Sequence, residues 1–147
     1  MKLTTKSKKE TILLGQKIAT KLQGGEVVAL IGELGAGKTT LIKGIAKGLG
    51  VKKIITSPTF VLMKIYNVKN KAIKKIIHID CYRLKQPSDI LAIGANEYFK
   101  RKDSIVLIEW ADKIKKILPE KIITCKISLI KEDQRRYDIT GLININK

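Results

Sequence analysis

Residues Gly32 to Thr39 read Gly-Glu-Leu-Gly-Ala-Gly-Lys-Thr, and together with their flanks they restrict the fold more than any other stretch of the chain. Ahead runs Val27-Val28-Ala29-Leu30-Ile31, with the length and residue types of a buried parallel strand. Behind, Thr40 to Leu49 spaces its apolar residues along one helix face and stops at Gly50. Strand, glycine loop and helix in this order carry a mechanism. Gly32, Gly35 and Gly37 permit backbone conformations that a side chain forbids, so N–H groups from Glu33, Leu34, Gly35, Ala36, Gly37, Lys38, Thr39 and Thr40 can turn toward phosphate oxygens. The helix-end dipole, the Lys38 ammonium and the Thr39 hydroxyl then meet β- and γ-phosphates and Mg²⁺. The competing reading is a glycine turn before a surface helix, with Lys38 merely solvated. With every fixed position matched and both flanks of the right type, the chain is expected to bind a nucleotide, ATP or ADP.

With 147 residues, one domain spanning 1–147 is expected, long enough to bury a proper core. Hydrophobic content of 44% fits a soluble globular chain, and there is neither an 18-residue apolar span nor a signal-peptide stretch at the start, so a cytoplasmic protein without membrane contact is expected. Cys81 and Cys125 lie far apart without metal-ligand spacing, which makes reduced, partly buried thiols the default. The net charge of +17 invites a nucleic-acid reading. Lysine supplies nearly all of it, the only arginines being Arg83, Arg101, Arg135 and Arg136, and the lysines are scattered rather than clustered. Such a field attracts polyanions weakly and with steep salt dependence, which makes proximity to tRNA plausible and direct sequence readout a poor fit.

Along the chain, Ser7-Lys8-Lys9-Glu10 has capping-box spacing and opens a helical pattern from Thr11 to Leu22, ended by Gly24-Gly25. Ile54-Ile55 and Phe60 to Tyr66 read as strands around the Ser57-Pro58 break, and Ile73 to Asp80 as a further strand in a hairpin with the second of these. Pro87-Ser88-Asp89 opens a short helix ending near Gly94. Ile105 to Ile108 is a second fully apolar strand, followed by a helical stretch from Asp112 to Leu118 that Pro119 stops. Lys121 to Ile130 and Tyr137 to Ile145 read as a closing hairpin. The sum is an α/β, three-layer fold of the P-loop nucleotide-hydrolase kind, around a mixed, mostly parallel central sheet.

A phosphate loop works with an acidic residue at the end of a neighbouring strand, which holds Mg²⁺ directly or through water. Ile76-Ile77-His78-Ile79-Asp80 and Ile105-Val106-Leu107-Ile108-Glu109 each run apolar residues into a carboxylate. Either alone reads equally well as a solvated strand end; beside a phosphate loop at least one serves the metal, and both can share it. Trp110, next to Glu109, packs on the base, reports closure of the site, or is a core tryptophan. His78 is read as packing beside its strand. A GTPase would need an Asn-Lys-x-Asp stretch, and neither Asn70-Lys71 nor Asn146-Lys147 provides one. A small-molecule kinase would bring an arginine-rich lid, which four arginines hardly make; none stands in an obvious position near the loop, although Arg135 or Arg136 could reach the nucleotide. A stand-alone kinase stays open as the alternative. A basic nucleic-acid module is disfavoured by 5% aromatic content, which leaves few stacking platforms.

The loop Gly-Glu-Leu-Gly-Ala-Gly-Lys-Thr-Thr, then Thr56-Ser57-Pro58-Thr59-Phe60, His78-Ile79-Asp80-Cys81-Tyr82-Arg83-Leu84 and Ile108-Glu109-Trp110 occur in an order that resembles the TsaE family, also called YjeE. Weaker similarity at Glu97-Tyr98, Leu118-Pro119 and Arg135 extends it over roughly residues 7 to 140. Glu33 stands where the family often has aspartate, which keeps the charge. The resemblance implies a small bacterial P-loop ATPase that supports synthesis of tRNA threonylcarbamoyladenosine. It implies a partner, the TsaD–TsaB pair that moves the threonylcarbamoyl group, reset by ATP hydrolysis, with tRNA reached through that complex. By matching positions, Lys38 binds the β/γ-phosphates, Thr39 and Glu109 hold Mg²⁺, and Asp80 acts on the metal or the attacking water. Thr59 senses the γ-phosphate or the partner, and Thr11 and Arg135 serve the base and phosphate side of the nucleotide.

Overall fold

The structure, a computed structural model of the chain, describes residues 1–58 and 62–143. Seven strands join one sheet: β1 (Lys2–Thr5), β2 (Val27–Ile31), β3 (Met63–Asn67), β4 (Lys75–Asp80), β5 (Ser104–Glu109), β6 (Ile123–Lys131) and β7 (Gln134–Thr140), in the order β1-β7-β6-β2-β5-β4-β3. The centre, β6-β2-β5-β4, is parallel, and its three ladders are matched by three antiparallel ones at the flanks. The sheet is therefore mixed, with its parallel part confined to the middle. The apolar runs behave as parallel strands should, because β2, β4 and β5 are covered on both faces.

Side chains alternate between the two faces along each strand. One face carries Val28, Leu30, Ile76, Ile105 and Leu107, packed under α1 (Lys8–Ala19) and α2 (Lys38–Gly48). The other carries Val27, Ala29, Ile77, Ile79, Val106 and Ile108, under α3 (Ser88–Ala92) and the 3-10 segments Ala95–Lys100 and Ala111–Ile117. Three layers result.

The first helix starts where its cap predicts. Ser7 accepts from the Glu10 N–H at 3.1 Å, while the Glu10 carboxylate reaches back past the cap to the Lys6 N–H at 2.6 Å. The two helices cross at contact distance because Gly15 and Gly44 face each other without side chains. A Cβ on Gly44 would lie 2.4 Å from the Ile12 carbonyl oxygen, and one on Gly15 2.6 Å from that of Leu41. This close crossing sets α2, and with it the glycine loop, against the sheet.

Several elements differ from expectation. Lys2–Thr5 is a strand, paired antiparallel with β7 from Lys2↔Asp138 to Thr5↔Arg135. Ile54 and Ile55 form no strand: Ile55 is buried and Ile54 is 86% exposed. The stretch from Asp112 is 3-10 helix with a kink at Ile114. Thr59, Phe60 and Val61, and the end of the closing hairpin at residues 144 and 145, lie outside the described residues. Among the described residues no helix is long and apolar enough to cross a membrane.

Both thiols are sealed more completely than expected. Cys81 and Cys125 are buried, and burial pushes each thiol up to about 12, helped at Cys81 by the Asp80 carboxylate. Thiol titration with a disulfide reagent at pH 8 is expected to find neither group in the native protein and both in denaturant. Rapid native labelling would contradict this packing.

Candidate functional site

β2, β4 and β5 run in the same direction, so their carboxyl ends open on one edge of the sheet, where α/β folds bind ligands. The glycine loop leaves β2 there. At Gly37 the backbone takes φ 100°, and α2 then begins at Lys38 with no side-chain cap on its first N–H groups. A side chain at 37 would be strained, and its Cβ would approach the Arg135 guanidinium at 3.5 Å. The helix thus presents unpaired donors and its positive end to the cleft.

Lys38 lies along the loop, its Nζ donating to the carbonyls of Gly32 at 2.6 Å and Glu33 at 2.8 Å. Burial pulls its pKa below the ordinary lysine value, and the carboxylates of Glu109, Asp80 and Asp112 draw it back up. Its ammonium also sits 4.1 Å from the centre of the Trp110 ring, which leans on Tyr82 with centroids 5.1 Å apart. Trp110 is thus neither sealed in the core nor remote from the loop; it flanks the lysine.

The two acids are brought together by register. Asp80 ends β4 and Glu109 ends β5, and they are direct partners in the parallel ladder. Glu109 accepts from the Thr39 hydroxyl at 2.8 Å through Oε1 and contacts His78 Nε2 at 2.7 Å through Oε2. Asp80 accepts from the Ser57 hydroxyl through Oδ2 and from the Tyr82 N–H at 2.9 Å through Oδ1. Both residues are almost fully buried. The two non-glycine residues at left-handed φ among those described, Leu62 (64°) and Trp110 (58°), lie beside these acids: the Asp80 N–H donates to the Leu62 carbonyl at 2.9 Å, and Trp110 follows Glu109. Backbone strain of this kind costs about 1–3 kcal/mol and persists where the surroundings enforce it, often at functional sites.

A cleft of about 540 Å³ covers this edge, and Thr11, Leu34, Gly35, Gly37, Lys38, Thr39, Thr40, Asp80, Glu109, Trp110 and Arg135 all line it. Ala36 is buried beneath the loop, its N–H donating to the Glu33 carbonyl at 3.0 Å; the Glu33 side chain is exposed. Thr11 reaches the cleft with its hydroxyl already engaged by Thr5 at 2.8 Å and Tyr137 at 3.0 Å. Thr59 lies outside the described residues. No arginine stands in an obvious position by chain order, yet one lies beside the loop, the Arg135 that the resemblance gave to the phosphate side. Arg135, on β7, donates to the Glu132 carbonyl and reaches the Gly35 carbonyl at 3.4 Å. A hundred residues separate the two, so composition and spacing alone do not give this contact. Sequence reasoning also missed Lys8, Tyr82 and Asp133 on the cleft wall, and the contact between His78 and Glu109.

Oxygen donors alone (a hydroxyl and two carboxylates) gathered beside a positive helix end suit a hard cation held jointly with phosphate. Fold and site together define an α/β protein of the P-loop type, with the glycine loop facing paired strand-end acids. The chain belongs to the TsaE family: residues 5–137 match the family described as threonylcarbamoyl adenosine biosynthesis protein TsaE. The tRNA threonylcarbamoyladenosine biosynthesis protein TsaE of Bacillus subtilis is 36% identical over 98% of this chain and 87% of its own length. That of Haemophilus influenzae is 41% identical over 82% and 73%. In three dimensions, the crystal structure of YdiB from Bacillus subtilis aligns with a TM-score of 0.75 at 33% identity, covering 93% of this chain and 82% of that one.

Proposed function

We propose that the cleft binds Mg-ATP and hydrolyses it slowly, and that the protein acts as the ATPase component of tRNA threonylcarbamoyladenosine synthesis. Its partner in this reading is the TsaD–TsaB pair, reset between cycles by ATP turnover, and tRNA is reached in the cytoplasm through that complex. One observation carries the nucleotide reading: Thr39, Glu109 and Asp80 meet beside Lys38, at the uncapped start of α2.

The Lys38 ammonium exchanges the Gly32 and Glu33 carbonyls for β- and γ-phosphate oxygens, and the loop N–H groups take the remaining charge. Thr39 and Glu109 would hold Mg²⁺, with Asp80 beside them, and the ion would supply positive charge to offset the charge that develops on the phosphates during transfer. Arg135 closes the far side of the loop and adds positive charge near the phosphates. Slow turnover in isolation follows from Asp80. Both its oxygens accept hydrogen bonds, from Ser57 and from the Tyr82 main chain, which fix the orientation of the carboxylate; release of the Ser57 contact would let it turn toward an attacking water. A partner pressing on the segment that carries Ser57 would break that contact.

Amide chemical-shift mapping with Mg-ADP tests the site. The largest shifts are expected at Gly35 to Thr40 and at Trp110 and Arg135. Largest shifts on the outer strand β1 would contradict it.

A further inference from the structure

His78 lies at 0% exposure in the middle of β4, a position where an aliphatic side chain such as Ile76, on the same face, packs without polar cost. Its ring is spent on one contact. Nε2 lies 2.7 Å from Glu109 Oε2, while Nδ1 is buried and has no hydrogen-bond partner among the described residues. In the parallel ladder His78 pairs with Leu107, which places its ring diagonally against Glu109 on the next strand.

This geometry selects one tautomer. With the proton on Nε2, the imidazole donates to the carboxylate and leaves only a lone pair at the orphaned Nδ1. With the proton on Nδ1, a buried donor would lack an acceptor and a ring lone pair would face a carboxylate oxygen. Glu109 is therefore gripped at both oxygens, by Thr39 at Oε1 and by His78 at Oε2.

We propose that His78 is a positioning residue for Glu109, donating from Nε2–H to Oε2 so that Oε1 stays aimed at Thr39 and the metal position. Outer partners of this type hold a ligand's orientation against the pull of the cation, and losing one costs about tenfold to a hundredfold in metal affinity. The proposal rests on the Mg-nucleotide reading of the cleft.

Two experiments test it. The first is ¹⁵N NMR of the His78 imidazole in the wild-type protein without nucleotide, which is expected to show the Nε2–H tautomer. A proton on Nδ1 would overturn the proposal, and this result needs no variant to fold. The second compares ATP affinity with saturating Mg²⁺ and with chelator. In His78→Phe the gain from Mg²⁺ should fall by about tenfold or more, with chelator-measured affinity within about twofold of wild type. His78→Gln, which restores an N–H near the Nε2 position, should recover most of the gain. An undiminished gain in His78→Phe would overturn the role of His78, as would an equal fall with and without Mg²⁺. A wild-type protein with no gain from Mg²⁺ would overturn the Mg-nucleotide reading itself.

Discussion

Lys38→Ala is expected to lose nucleotide binding while keeping the fold. Its ammonium donates to two loop carbonyls and feels the charge of the Glu109, Asp80 and Asp112 carboxylates, so it is held at the point where phosphate oxygens would compete for it. Hydrogen bonds to charged groups contribute roughly 1.5–3 kcal/mol each. Loss of two such bonds to phosphate weakens binding by about 3 kcal/mol or more, on the order of a hundredfold. Far-ultraviolet circular dichroism should remain that of wild type, because Glu33 is exposed and Gly32 half-buried, so water can replace the ammonium at the carbonyls left behind. Calorimetric titration with Mg-ATP reads the loss; wild-type affinity in the variant would refute the assignment of the cleft.

Gly44→Ala is expected to destabilise the protein in spite of helix propensity. At an exposed helical position this change gains about 1 kcal/mol. Here the added Cβ would meet the Ile12 carbonyl oxygen at 2.4 Å and the Ile12 Cα at 2.9 Å, both backbone atoms of a helix that cannot move without leaving the sheet. Overpacking of this type costs about 1–3 kcal/mol and sometimes more. Gly44→Leu should be worse still. Since α2 begins at Lys38 and α1 carries Thr11, parting the helices also opens the cleft, and the Ala variant should bind nucleotide less tightly. Urea unfolding checks the stability: a lower midpoint with unchanged slope is expected, and a midpoint at or above wild type would contradict the close crossing.

The elements legible from the sequence were those whose signals are local. Val27 to Ile31 is apolar throughout because the strand is covered on both faces, and the glycine loop needs its glycines whatever surrounds it. Runs of apolar residues ending in an acid likewise marked Asp80 and Glu109. That they stand side by side depends on β4 pairing with β5 in register, a non-local fact. Lys2–Thr5 has too few residues to show alternation and becomes a strand only against β7. Ile54-Ile55 has β-branched residues but pairs with no strand among the described residues, so propensity gave way to context. His78 looked like packing because its partner lies on another strand, and Arg135 was tied to the nucleotide by resemblance alone, since its place beside the loop depends on the closing hairpin carrying it back there.

The most direct test of the account is ATP hydrolysis by the purified protein, alone and with the TsaD–TsaB pair. Slow turnover alone, rising about tenfold or more with the pair, is the predicted result. Fast turnover alone that the pair leaves unchanged would contradict both the restrained Asp80 and the role as an ATPase component of that machinery.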